Sequence, residues 1–229
     1  MHFHLPKPLH GWRAFVGEVG IIVIGVLIAL GAEQVVEAIH WETEVATFRS
    51  AVREEVASDL GTYKYRLSEN GCVERRLDEL ERWLASWHSG HPLRLTGQIG
   101  APASLSLERA VWESRDPAMM AHMPAKERIA LGVIYDKFAN NEVHRLDERE
   151  AWLELAQFDG ATALGNEDLM RLRALVTRAR YRHRHLNDNA SGYFEIGKAL
   201  GIAAHIQDDA PAVDPAFCRP IIPAQKLPA

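Results

Sequence analysis

Apolar positions follow two regimes along this chain. From Ala14 to Val36 they are nearly continuous, whereas from Trp41 onward they recur every three or four residues. The first regime holds a charge-free run of 14 residues, VGIIVIGVLIALGA, between Glu18 and Glu33. That is short for a hydrocarbon core of about 30 Å. Extended to Ala14–Val36 and coiled as a helix at about 1.5 Å per residue, the stretch covers about 34 Å. A transmembrane helix is therefore expected over residues 14–36, behind a leader of residues 1–13. Each glutamate then lies near an interface, where an acid costs far less than at the centre of a span.

The second regime predicts helices. Trp41, Val45, Phe48, Val52, Val56, Leu60, Tyr63 and Leu67 continue the span as an amphipathic helix that Asn70-Gly71 should end. Val73, Leu77, Leu80, Leu84 and Trp87 repeat the pattern up to SGHP at 89–92. Ser104 or Ser106 is the expected cap of a short helix containing Leu107, Ala110 and Val111, which Asp116-Pro117 stops. Pro124 opens a longer one toward Phe158, closed by Asp159-Gly160. The last, with Asn166 as its expected cap, carries Leu169, Leu172, Val176, Ala179, His183, Leu186, Ala190 and Tyr193. Strand-like alternation of useful length is missing. The fold class is accordingly all-α: an N-terminal transmembrane helix continuing into an antiparallel helical bundle over 37–206. A Pro-rich C-terminal tail, 207–229, should follow as an extended or disordered arm.

Charge orients the span. Lys7 and Arg13 precede it, while Glu33, Glu37, Glu42 and Glu44 come before the next basic residue, Arg49. This asymmetry keeps the N-terminus in the cytoplasm and places the bulk of the chain outside the membrane. A rival reading is a cleaved signal peptide, with Val19–Leu30 as its apolar core and Ala29-Leu30-Gly31 as a small-x-small site. The acid abutting that core and the unbroken helical pattern beyond it favour the anchor. Cys72 and Cys218 either pair as a disulfide in an oxidising compartment or remain two buried thiols. A net charge of −5 disfavours nucleic acid as a partner.

GEVGIIVIGVLIALGAEQ, residues 17–34, resembles the N-terminal signature of a family of bacterial single-span membrane proteins of unassigned activity. The similarity covers about residues 13–41. AVWESRDPAMMAHMPAKERIALGVIYDKF, residues 110–138, loosely resembles that family's helical segment. The resemblance implies a bacterial inner-membrane anchor with a helical periplasmic domain, and it carries no assigned activity over to this chain.

Candidate chemistry is sparse. HExxH, GxSxG, Walker and GxGxxG patterns are all missing, and one Glu-x-x-His pair, Glu37 to His40, falls short of a di-iron bundle. No catalytic, cofactor-binding or metal-binding residue is therefore nominated. His144 with Glu148 could form a metal edge, but such surface pairs arise by chance. In MMAHM, Met119, Met120, His122 and Met123 combine thioethers with an imidazole suited to Cu(I), against the more ordinary expectation of methionines tucked into the bundle. His183 occupies a core position, as a hydrogen-bonded core histidine or as a ligand. Glu18, Gly25 and Ala29 share a helical stripe that invites close packing by another span. Arg171, Arg173, Arg178, Arg180, Arg182 and Arg184 flank the apolar seam of the last helix. They either pair with acids such as Asp147, Glu148, Glu150 and Glu154 or receive an anionic ligand or partner. The expected function is a non-enzymatic membrane-anchored scaffold or accessory subunit, bound to the bilayer and to another membrane protein or itself. The alternative is an extracytoplasmic sensing or ligand-binding module.

Overall fold

The computed structural model describes residues 11–103, 106–206 and 215–223. All regular structure among them is helical: α1 (Gly11–Ser68), α2 (Asn70–His88), α3 (Ala110–Glu113), α4 (Pro117–His122), α5 (Ala125–Ala156) and α6 (Asn166–Ala199). The chain forms two compact units, Met1–Arg49 with Asp116–Met123, and Ser50–Arg115 with Pro124–Ala229. α1 contributes to both, and its apolar stretch is long enough to cross a membrane. It passes Ala29-Leu30-Gly31 without interruption.

α1 ends beside Asn70-Gly71, at Ser68, but the pair itself begins α2, so the helical course resumes at once. Only Glu69 interrupts it, and the amides of Cys72 and Val73 already bond back to the Glu69 carbonyl. Gly71 does not adopt a positive φ. A helical glycine costs about 1 kcal/mol, whereas burying Val73, Leu77 and Leu80 on one face returns about 1.5–3 kcal/mol per side chain. The apolar stripe wins. α6 packs antiparallel to this α1–α2 course, Tyr193 lying against Tyr63 and Arg180 reaching Asp78 and Glu81 further on. It runs antiparallel to α5 as well, where Arg171 bonds Glu154 and Arg182 bonds Asp147.

The bundle core has an aromatic part and an aliphatic part. Tyr63, Phe138 and Tyr193 meet with ring centroids 4.6–5.7 Å apart, and Trp112 stacks on Tyr135 at 4.8 Å. Further along, Leu77, Leu80, Trp83, Trp152, Leu155, Leu172 and Val176 form the larger cluster. Termination of α6 uses the left-handed conformation that glycine tolerates. Gly201 has φ +65°, the amide of Ile202 bonds back to the Gly197 carbonyl, and Arg53 donates to the Leu200 and Gly201 carbonyls. At the other end the cap is Gly165 rather than Asn166, its amide donating to Asp168 at 2.9 Å. Ser104 lies outside the described residues, and Ser106 caps nothing because α3 starts four residues later.

The described part of the Pro-rich tail, residues 215–223, departs from a free arm. Phe217, Ile221 and Ile222 are buried in the aliphatic cluster. Cys72 and Cys218 form a disulfide, and the buried Arg76 donates to the carbonyls of Gln98, Ile99, Phe217 and Arg219. The pairing closes a loop across a sequence separation of 146, for which the chain-entropy account gives about 5 kcal/mol. Gln207 to Asp214 and the last six residues lie outside the described residues. We expect Cys72→Ser to cost about 2–5 kcal/mol of unfolding free energy and to open the peptide bond after Phe217 to chymotrypsin. Denaturant titration and limited proteolysis under non-reducing conditions check this; an unchanged midpoint would mean that the arginine clamp holds the segment unaided.

Candidate functional site

Core positions of α1, α2 and the junction between them carry acids that a helix built only for packing would not use. Glu55, Asp59, Glu69 and Glu79 are all buried. Each accepts a backbone amide from an irregular segment: Glu55 from Val111 and Trp112, Asp59 from Glu108, Glu69 from Ala103 and Glu79 from Ile221. Asp159, just after α5, does the same for Ile99. Loop amides that pack against a core need acceptors, and carboxylates supply strong ones. The Tyr135 hydroxyl also donates to Glu55. Each of these acids thus spends at least one carboxylate oxygen on the fold itself.

Electrostatics around them are those of a dry interior. Burial pushes the Asp59 carboxyl up to about 8, against the pull of the Glu108 amide. Its Oδ2 has no hydrogen-bond partner among the described residues. Glu148, also raised by burial and drawn back by the Arg66 cation, receives the Arg66 guanidinium at 2.8 Å. His183 sits beside this pair, 3.9 Å from Glu148 and 3.1 Å from Asn187. Burial and then the Arg66 charge lower it to about 4, so it is a neutral core histidine. The cleft bordered by Tyr63, Arg66, Asn141 and Arg145 holds about 30 Å³, room for a water or two.

The arginine stripe is largely engaged. Arg171 meets Glu154, Arg178 meets Asp147, Glu150 and Glu154, Arg180 meets Asp78 and Glu81, and Arg182 meets Asp147. These bonds hold Asp147 below the usual carboxylate range. Arg173 and Arg184 are exposed without an ion pair among the described residues. His144 and Glu148 do not converge: Glu148 faces Arg66, while His144 accepts from Arg182 at 2.7 Å and lies edge-on to His185. Among the described residues no group of three or more His, Cys, Asp or Glu is arranged to hold a metal ion.

Glu18, Gly25 and Ala29 are exposed on α1, and a Cβ added at Gly25 would meet nothing within 4 Å. α5 also shows aliphatic side chains to solvent, Ile129, Val133, Val143, Leu146 and Leu153. In the smaller unit, Met119, Met120 and Met123 are buried, and His122 stacks on Trp41 at 4.6 Å with 10° between the rings.

No family model, curated protein or solved structure matches this chain. The likeness noted over residues 13–41 therefore rests on those residues alone.

The amide-accepting acids and Arg76 are what the sequence reading missed. A signal existed: Glu55 and Asp59 alternate with Val52, Val56, Leu60 and Tyr63 inside the apolar register, and Arg76 and Glu79 sit among Val73, Leu77 and Leu80. Asp59 has a testable consequence. Its folded-state value lies above its unfolded one near 3.8, so the stability it permits is complete below about pH 4 and falls as pH rises toward 8. His183 has the opposite sign: its folded-state value is depressed, so stability held above about pH 6.5 is lost as pH falls toward 4. Asp59→Asn keeps an oxygen for the Glu108 amide and removes the proton linkage. The variant is expected to melt higher than the parent at pH 8 and within error of it at pH 4, and thermal melts across this range decide the matter.

Proposed function

We propose that this protein is a membrane-anchored, non-enzymatic helical scaffold or accessory subunit of a bacterial inner-membrane assembly. The carrying observation is α1 itself. Its apolar window is wholly unburied by the rest of the chain, yet the same helix goes on to supply Val52, Val56, Leu60 and Tyr63 to the bundle core. An apolar surface of that size requires lipid or another helix around it. The Glu18, Gly25 and Ala29 face is the contact we assign to a partner span or a second copy, because the absent side chain at Gly25 permits close backbone approach and Glu18 can supply a hydrogen bond in a low-dielectric setting.

Two observations support a cytoplasmic N-terminus with the bundle in the periplasm. Basic Lys7 and Arg13 precede the span and acids follow it, and the Cys72–Cys218 disulfide belongs to an oxidising compartment. A non-enzymatic role accords with buried acids that are spent on loop amides and with an arginine stripe mostly committed to carboxylates.

The deciding experiment is native mass spectrometry of the full chain purified from membranes in mild detergent. The expected result is an intact N-terminus and a stoichiometric membrane partner or homo-oligomer, dissociated by Gly25→Leu combined with Glu18→Gln. An association that survives both substitutions would sink the assigned face, and a chain beginning near Ala32 would sink the anchor.

A further inference from the structure

We infer that α4 and the Trp41 indole form a binding site for a soft monovalent metal ion, Cu(I), within the smaller unit. Three of the chain's five methionines fall in five consecutive residues, Met119 to Met123. Met119 and His122 stand one helical turn apart on α4, and Met123, the extended C-cap residue, follows His122 directly in the chain. Two thioethers and an imidazole make a donor set suited to Cu(I) rather than to Zn²⁺, Mg²⁺ or Ca²⁺. Leucine would fill the same volume, so packing alone does not call for sulfur here.

His122 distinguishes this cluster from gap filling. It is exposed, makes no hydrogen bond among the described residues, and lies nearly parallel to the Trp41 indole at 4.6 Å. A ring held flat by stacking leaves the lone pair at its edge free for a ligand. Trp41 is itself fixed by its Nε1–H, which donates to Glu37 at 3.3 Å, and its π face favours a nearby cation. Both cysteines are consumed by the disulfide, so thioethers and imidazoles are the soft donors that remain to this chain. Burial of Met119, Met120 and Met123 gives the sulfurs a dry setting that shields a cuprous ion from water and oxidant.

The test is anaerobic titration of the full-length protein in detergent with Cu(I) in the presence of bicinchoninate as a competing chelator. One Cu(I) per chain should be withdrawn from the chelator. Binding should weaken by roughly tenfold or more in the volume-conserving double variant Met119→Leu with Met123→Leu. His122→Gln, at an exposed side chain that does not threaten folding, should weaken it likewise, while Met170→Leu on α6 should bind as the parent does. A parent chain that withdraws no Cu(I), variants that match the parent, or a Met170→Leu chain that alone loses binding would each overturn the site. None of these outcomes bears on the association through Gly25.

Discussion

Much of the irregular chain among the described residues is held by one kind of bond, a backbone group of a loop meeting an acidic or basic side chain at a core position along the helices or at the Glu69 junction between them. Glu55, Asp59, Glu69 and Glu79 take amides, and Arg53 and Arg76 take carbonyls. The physical demand behind this is plain. Segments such as 93–103, 106–109 and 215–223 have no helix or sheet to satisfy their peptide groups, yet they contribute Ile99, Phe217, Ile221 and Ile222 to the interior. An unpaired buried peptide group costs about 1–3 kcal/mol. Charged partners on rigid helices satisfy several at once and define where each loop must lie.

That arrangement also explains why buried charge here is structural. A catalytic carboxylate needs a free lone pair facing a substrate-sized space. These acids face loop amides, and the raised Asp59 is the consequence of a carboxyl packed where water cannot reach it. Likewise, the arginines of α6 meet acids on α5 and α2 along the two antiparallel interfaces, which sets the register of neighbouring helices. The surfaces left uncovered among the described residues include the apolar half of α1 and the exposed His122 ring stacked on Trp41.

The helical skeleton was legible in the chain because periodicity is a local property. The span, the three-and-four spacing of α1, α2 and α6, and the Pro117 and Pro124 boundaries follow from side-chain direction on a helix and from proline's missing donor. Local rules failed where competing local and tertiary terms are of similar size. Asn70-Gly71 reads as a stop and α1 does end at Ser68, yet no loop follows, because the apolar face of Val73, Leu77 and Leu80 keeps the chain helical from Asn70 onward. Gly165 displaced Asn166 as a cap through the Asp168 carboxylate one turn on.

The sequence by itself determined an all-α chain with one helix long and apolar enough to cross a membrane, followed by a bundle, since hydrophobic spacing alone selects helix over strand. Only the tertiary structure decided which charges are buried and what they hold, since Arg76 meets Phe217 across 141 positions and Asp59 meets Glu108 across 49. The pairing of Cys72 with Cys218 belongs to the same class. Composition permitted it, but only the return of the chain over α2 brings the two sulfurs together, and a contact made at such separation leaves no trace in local pattern.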